Sequence, residues 1–437
     1  MIERCQPLWG SAVCSARTLL VALCIVTTTI EPSHAQDQNW SLEVSGELRE
    51  RFESANNPVF GLSAPAQNDY LLHRASVSGE LRRGDDFRAV AKIVSGLTSS
   101  WSGSPPPTQE DSLDALEAYV EQSLSLARGQ LALRIGRQEM ALGAARLVSV
   151  RESPNVRRAF DGVSASWTDG EQQRATAFFL RPVWPEDGIF DDRSSQAERF
   201  WGLYATWLPS PERLGIDTYY LGLDRANAVF AQGLARELRH TIGARAFGMR
   251  AGWDWNIEAA WQWGSFGAAN IRAWTVSIDA GFEFAALPFT PRVGLKADAI
   301  SGDRNPHDRE LGTFNPLFPK LPYFSEANLA TPANLLDIQP SLSLSLTDRL
   351  SATLSWNRLW KHENADAFYA PLLTPVTGTS RSRSRDIGSQ TSMLVSWQAT
   401  RQLDLGATYV AFEPHNVIRQ ADGRAGSFLA AWIRWTF

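Results

Sequence analysis

The dominant feature of this sequence is an alternation of apolar and polar residues with a period of two, which is the side-chain period of a β-strand. The clearest example covers residues 253–264, where one face holds four tryptophans and the other holds acids and amides. Four tryptophans on one face need an apolar cover, and the lipid of a membrane supplies one, with Trp favoured at its interfaces. The apolar face comprises Trp253, Trp255, Ile257, Ala259, Trp261 and Trp263, and the polar face Asp254, Asn256, Glu258, Ala260 and Gln262.

The same alternation recurs along the chain and predicts about 18 strands. An even number is expected of a closed bacterial barrel. The fold class predicted is therefore all-β, a transmembrane antiparallel β-barrel. The strands are expected near 40–52, 70–82, 87–96, 117–126, 130–138, 160–168, 174–181, 200–208, 215–223, 237–247, 253–264, 271–284, 291–301, 337–347, 350–360, 386–398, 402–412 and 427–437.

The connections between these strands alternate in length. Those after even-numbered strands are short, such as 83–86, 127–129 and 348–349. Short periplasmic turns and long extracellular loops are typical of outer-membrane barrels, so the odd-numbered strands are expected to run outward. Long connections are predicted at 53–69, 97–116, 139–159, 182–199, 224–236, 302–336, 361–385 and 413–426.

The N-terminal segment has the features of a secretory signal peptide. Arg4 and Arg17 supply its positive charge, residues 18–30 form an apolar run, and small residues precede a cleavage site placed after Ala35. The run is too short for a membrane anchor, which needs about 20 apolar residues. The domains predicted are a signal peptide at 1–35 and one outer-membrane barrel at 36–437. All three cysteines, Cys5, Cys14 and Cys24, lie in the signal, which excludes a disulfide scaffold, a zinc–thiolate site or thiol catalysis in the exported chain. A lipoprotein anchored at Cys24 is disfavoured because Leu23 precedes it.

The last strand ends on an aromatic residue. Phe437, Trp435 and Ile433 follow one another at every second position. We interpret them as the sorting signal read by the outer-membrane assembly machinery, with an ordinary final strand as the alternative.

Several motifs follow one another along the chain: Gly136-Arg137-Gln138, Gly143, Arg146-Leu147, Phe160-Asp161-Gly162, Asn256, Glu258, Gln262, Gly264, Ser301-Gly302-Asp303, residues 313–319, Asn334-Leu335, Leu359-Trp360, and Asp366-Ala367 with Tyr369. Together and in this order they resemble the alginate-export family. That resemblance implies a Gram-negative outer-membrane barrel, in contact with lipid and lipopolysaccharide, monomeric, whose arginine-rich lumen passes an anionic polysaccharide or uronate-like solute. The turns at 348–349 and 399–401 are shorter than the pore-plugging turn of members dedicated to alginate secretion, so a general diffusion porin for small anions or sugars stays an alternative.

Basic residues supply the candidate site. Of 42 lysines and arginines only Lys92, Lys296, Lys320 and Lys361 are lysine, although a GC-rich genome would give the same bias. Guanidinium groups bind carboxylates in a planar, bidentate way, and rings of Arg or Lys select anions in pores. Loop 139–159 carries four arginines and is predicted to constrict the pore; the alternative is an outer loop whose arginines bridge lipopolysaccharide phosphates. The pore and substrate candidates are Arg146, Arg151, Arg157, Arg158, Arg137, Asp161, Arg74, Arg49, Glu258, Asp254, Arg292, Lys296 and Asp298.

Other chemistries lack a sequence signal. The histidines after residue 35 have no metal-ligand spacing, and Asp303, Asn305 and Asp308 lack the spacing of a calcium loop, so no metal and no cofactor are predicted. No hydrolase or nucleotide-binding motif is present, and a net charge of −5 argues against a nucleic-acid partner. The chain is expected to be a porin and not an enzyme; a barrel enzyme or a secreted lectin-like protein would need features that this sequence lacks.

Overall fold

The computed structural model describes residues 40–62, 66–210 and 214–437. The predicted signal peptide and its predicted cleavage site after Ala35 lie outside these ranges. The described residues form a closed antiparallel barrel of 18 strands, as predicted. Among them, no helix is long and apolar enough to cross a membrane. The strands are β1 (Trp40–Asn56), β2 (Gln67–Arg83), β3 (Phe87–Ser99), β4 (Asp111–Ser125), β5 (Gln130–Gln138), β6 (Phe160–Thr168), β7 (Gln173–Trp184), β8 (Glu198–Ser210), β9 (Leu214–Phe230), β10 (Gly233–Arg250), β11 (Trp253–Phe266), β12 (Ala269–Glu283), β13 (Arg292–Ile300), β14 (Leu335–Thr347), β15 (Leu350–Lys361), β16 (Asp386–Gln398), β17 (Leu403–Pro414) and β18 (Gly426–Thr436).

The barrel closes between its first and last strands. Strand β18 pairs with β1 in antiparallel register from Glu47↔Thr436 to Asn56↔Ser427. Closure leaves no barrel strand with an unpaired edge, which is required of a sheet surrounded by hydrocarbon because lipid cannot hydrogen-bond to the backbone. Beyond β18, the backbone N–H of Phe437 donates to the Gly46 carbonyl at 3.1 Å.

The two faces of each strand are those that the alternation predicts. On β1 the apolar side chains of Leu42 and Val44 are 66% and 58% exposed on the outer surface, whereas Arg49 is buried inside the barrel. On β11 Trp261 is exposed and Gln262 is fully buried. Apolar residues therefore cover the outside, and polar residues line most of the interior.

The connections follow the predicted asymmetry, with one exception. The even-numbered strands end in short turns such as 84–86, 348–349 and 399–402, whereas 139–159, 301–334 and 362–385 are long. The long loop predicted at 224–236 is wrong, because β9 continues to Phe230 and β10 begins at Gly233. The inward side chain of Phe230 is buried against Tyr369, at 6.4 Å between ring centroids. An apolar inward residue interrupts the polar-inside pattern from which the strand limits were predicted.

Two of the long loops, 139–159 and 301–334, fold into the barrel, and we call them the inner loops. They are joined by a β-bridge between Val148 and Phe318. The ring of Phe318 packs on the wall aromatics Phe160 and Phe200, at 5.2 and 4.9 Å. The resulting apolar cluster fixes the inner loops inside the lumen. The polar side chains of these loops are thereby held in fixed positions.

Candidate pore constriction

The first inner loop crosses the lumen from one wall to another. At one end Glu152 accepts hydrogen bonds from Arg74 on β2, through Oε1 at 2.8 Å, and from Arg49 on β1, through its carbonyl at 3.0 Å. At the other end Arg146 donates to Glu258 on β11. Because β1 and β11 lie on different sides of the 18-stranded barrel, the loop narrows the channel.

Arg146 forms a buried contact of this loop with the wall. Its Nη1 lies 3.0 Å from Glu258 Oε2 and 2.8 Å from the Asn256 side-chain oxygen, and the side chains of Arg146 and Glu258 are 7% and 8% exposed. The Tyr219 hydroxyl donates to the other carboxylate oxygen at 2.8 Å. Glu258 is thus held between a guanidinium and a phenol. The Arg146 charge is neutralised in this arrangement and does not stand free in the pore.

A glycine allows the loop to approach the wall at this point. Gly143 has φ +55°, and a Cβ there would lie 2.1 Å from the Tyr204 hydroxyl. Tyr204 in turn donates to Asp217 at 2.5 Å, and Asp217 also pairs with Arg245 at 2.6 Å. Glycine adopts this left-handed backbone conformation readily, and because it has no Cβ it avoids the clash with the Tyr204 hydroxyl.

The remaining arginines of the loop are of two kinds. Arg157 pairs with Glu139 at 2.7 Å and with Glu152 at 3.2 Å. Within the described part of the chain, Arg151 and Arg158 form no ion pair; Arg158 lies over the Phe318 ring at 5.0 Å and donates to the Ser149 carbonyl.

Burial is the main influence on the pKa of both arginines. Burial lowers the pKa of Arg151 to about 10. Burial, followed by the positive charges of Arg151 and Arg225, lowers the pKa of Arg158. Arg225 pairs with Glu198 at 3.1 Å. Arg158 therefore lies near two other guanidiniums, with Glu198 as the carboxylate that partly offsets them.

The other candidates from the sequence also lie on the inner side, mostly in ion pairs. Arg137 contacts Asp161 at 2.9 Å, Arg292 contacts Asp254 at 2.5 Å, and Lys296 lies 3.8 Å from Asp298. Arg74 pairs with Glu47 at 2.8 Å. Pairing of this kind gives a mixed-charge wall. Whether any of these residues touches a solute stays a prediction.

A cavity of about 530 Å³ adjoins Glu152 and the periplasmic turn 348–349, and its lining includes residues that the sequence reasoning did not single out. Arg434 pairs with Asp404 at 2.8 Å and lies 3.8 Å from Glu152. The alternation of β18 placed Arg434 between the outward residues Ile433 and Trp435, so that signal was available. The charged side chains lining the cavity are Arg49, Arg51, Arg349, Arg434, Glu152, Glu326, Asp348 and Asp404.

Lys320, on the second inner loop, is another basic group that sequence reasoning left out. Burial and then the positive charges of Lys296 and Arg146 lower the pKa of Lys320 to about 8. The apolar–polar alternation shows which strand residues point inward, but it does not apply to a loop. The sequence therefore held no signal that Lys320 lies in the lumen.

The comparisons with known proteins agree with this architecture. The model of the Alginate export family matches residues 41–431. The chain belongs to the alginate-export family. The predicted resemblance is thereby confirmed. Among curated proteins, none matches the sequence.

Solved structures with the same fold include outer-membrane porins of the Occ family. The chain is similar to OccK2 (OpdF) of Pseudomonas aeruginosa in complex with glucuronate, at 10% identity and a TM-score of 0.61, over 91% of this chain and 96% of that one. It is also similar to OccAB4 of Acinetobacter baumannii, at 10% identity and a TM-score of 0.59, over 91% and 98%. At this identity the likeness establishes the barrel fold. Together with the family match it supports a porin of the outer membrane.

Proposed function

We propose that this member of the alginate-export family is an outer-membrane channel for uronate-like anionic saccharides. The observation that carries the proposal is the arginine-bearing inner loop that crosses the lumen directly beside the cavity. The same proposal takes the chain to be a channel and not an enzyme, exported by its signal peptide, inserted by the outer-membrane assembly machinery, and monomeric in lipid and lipopolysaccharide.

The size of the cavity suits a small saccharide. Pockets that bind small molecules are about 300–1,000 Å³, and this one measures about 530 Å³. Four guanidiniums line it, and a guanidinium binds a carboxylate through two parallel hydrogen bonds. A uronate would present such a carboxylate on a sugar ring. The hydroxyls of that ring would form hydrogen bonds with the acids and the backbone of the lining.

The lining charges also favour weak binding. Arg51 contacts Glu326 at 2.9 Å, and Arg434 contacts Asp404, so an incoming carboxylate competes with resident acids. The Arg434–Asp404 pair is about one-third exposed, and exposed ion pairs contribute only about 0–1 kcal/mol each. Weak, repeated contacts suit conduction, because a solute must also leave the site. OccK2, which was solved with glucuronate, has the same fold, and this supports a uronate as the solute class.

An anionic polymer would meet the same charges but would need more room. The inner loops fill the lumen through the Phe318 cluster, so passage of a polysaccharide requires them to withdraw. A general porin for small anions or sugars is the alternative that the following measurement separates.

The test is single-channel recording in a planar bilayer under a KCl gradient, with glucuronate or glucose added. We expect an anion-selective reversal potential, and we expect glucuronate to reduce the chloride current at lower concentration than glucose. The variant Arg49→Gln/Arg434→Gln should lose that difference. Arg272→Gln is the matched control, since Arg272 is 67% exposed and lies at the outer rim.

Equal effects of glucuronate and glucose would indicate a general diffusion porin. A cation-selective reversal potential would reject an anion channel altogether.

A further inference from the structure

A group of carboxylates lies where the outer end of β4 meets the loop 185–197. One oxygen from each of Asp111, Asp114 and Asp192 lies within 4.8 Å of the other two. Asp111 and Asp114 are buried, at 1% and 3% exposure, and Asp192 is half-buried. The pore argument above makes no use of this group.

The backbone holds these residues together. The loop pairs with β4 through a parallel bridge between Leu113 and Ile189, and the Phe190 N–H donates to the Leu113 carbonyl at 2.9 Å. The Asp192 N–H donates to Asp114 Oδ2 at 2.9 Å. The arrangement is therefore a formed pocket of oxygen atoms and not a chance meeting of exposed side chains.

Asp111 is the independent sign that a ligand belongs here. Both of its carboxylate oxygens are shielded from solvent, and neither has a hydrogen-bond partner. Asp114, by contrast, accepts from the Ala115 N–H at 2.6 Å and from Arg137 at 3.2 Å. A buried carboxylate without a partner is strongly unfavourable, and such groups are normally paired or bound to a metal.

The surrounding charge is also unbalanced. Arg137 is the guanidinium in contact with the cluster, and it is shared with Asp161 at 2.9 Å. Asp191, next to Asp192, has a buried Oδ1 that lacks a partner as well. The described residues thus supply one positive charge against several carboxylates, so a divalent cation would satisfy both the charge and the free oxygens.

We propose that Asp111, Asp114 and Asp192 bind one calcium ion. Carboxylate oxygens suit hard cations, and the absence of His and Cys from the group argues against zinc. Calcium binds oxygens at about 2.3–2.6 Å, so two ligands of one ion lie at most roughly 5 Å apart, and the oxygens of the cluster, all within 4.8 Å of one another, meet this limit. Magnesium, at about 2.0–2.1 Å with strict octahedral geometry, needs a tighter set. The ion would tie the loop 185–197 to the rim of β4.

This site differs from the calcium loop that the sequence suggested, and did not support, at Asp303, Asn305 and Asp308. Asp303 accepts from the Asn305 N–H at 3.1 Å, and Asp308 accepts from the Glu310 N–H at 2.8 Å. Of the residues that the structure describes, those of β4 and the loop 185–197 form the acidic group with metal-like spacing. The prediction of no metal rested on local spacing, and the cluster is assembled from two distant segments.

The experiment is calorimetric titration of the purified barrel with CaCl2, after dialysis against EDTA, in detergent micelles free of lipopolysaccharide. We expect one calcium per chain, with a Kd no weaker than about 10⁻³ M, the weak end for extracellular calcium modules. Asp111→Asn and Asp192→Asn should each weaken binding at least tenfold. Asp308→Asn is the control and should bind like the wild type.

Thermal unfolding gives a second readout. It is monitored as the loss of the fast-migrating band on an unboiled gel. Calcium should raise the unfolding temperature of the wild type and leave that of Asp111→Asn unchanged. In EDTA, Asp111→Asn should be at least as stable as the wild type, because it removes an unpaired buried charge. Should that variant fail to assemble, Asp192→Asn provides the same comparison.

Three results would overturn the proposal. They are a folded wild type that binds no calcium, aspartate variants that bind it as the wild type does, and magnesium bound as tightly as calcium.

Discussion

Replacing Arg146 by methionine tests whether the inner loop constricts the pore. The change keeps an apolar chain of similar reach but removes the guanidinium from Glu258 and Asn256. Because both partners are under 10% exposed and lie 3.0 Å apart, this is a buried pair, and losing one partner of such a pair costs about 3–5 kcal/mol. The Tyr219 hydroxyl still donates to Glu258, so we expect the lower end, about 3 kcal/mol.

A loss of this size should change how often the loop leaves the wall. Since about 1.4 kcal/mol corresponds to a factor of ten in an equilibrium constant, the released population should rise roughly a hundredfold. The β-ladders of the barrel and the Phe318 cluster do not depend on Arg146, so the barrel itself should remain closed. The assay is single-channel conductance, which should become larger and noisier, and the reversal potential should shift toward cations because Glu258 is exposed.

Two further variants make the test selective. Arg146→Met/Glu258→Gln leaves no unpaired charge and should recover much of the quiet, low-conductance state. Arg304→Met removes an 88% exposed arginine of the other inner loop and should behave like the wild type. If Arg146→Met conducts as the wild type does, or if the double variant is as noisy as the single one, the ion pair does not hold the constriction.

Three other perturbations have defined outcomes. Because the pKa of Lys320 is lowered to about 8, its charge is present below that pH and lost above it. Anion selectivity, measured by reversal potential, should therefore fall between about pH 7 and 9 in the wild type but not in Lys320→Arg. A wild-type selectivity that does not change with pH would contradict this. Gly143→Ala places a Cβ 2.1 Å from the Tyr204 hydroxyl at φ +55° and should raise conductance by displacing the loop, at a cost of more than about 1 kcal/mol; wild-type conductance would show that the loop adapts. Deleting Phe437 removes the backbone hydrogen bonds to Gly46, at 3.0 and 3.1 Å, together with the proposed sorting signal. The chain should then cross the inner membrane but fail to give the heat-modifiable gel band of an assembled barrel. Wild-type levels of the variant at the cell surface would mean that the signal lies elsewhere.

The candidate site was only partly visible in the sequence. Loop 139–159 was singled out by its arginines, but the sequence could not separate Arg146 and Arg157, which are ion-paired, from Arg151 and Arg158, which are not. The distinction depends on partners far along the chain, since Arg146 and Glu258 are 112 residues apart. Such pairs exist only after the barrel has closed and the loop has folded inward.

The sequence by itself determined the number of strands and the outer and inner face of most of them, because a barrel strand has an apolar outer side and a largely polar inner side. That constraint acts locally, residue by residue, as Trp261 and Gln262 illustrate. The tertiary structure decided what fills the interior. Tyr369 of loop 362–385 covers the inward apolar residue Phe230, and β9 extends to that residue, beyond its predicted end. Folding also brings Asp114 within hydrogen-bond distance of Asp192, 78 residues away, and no local pattern encodes that approach because it depends on the packing of one loop against another strand.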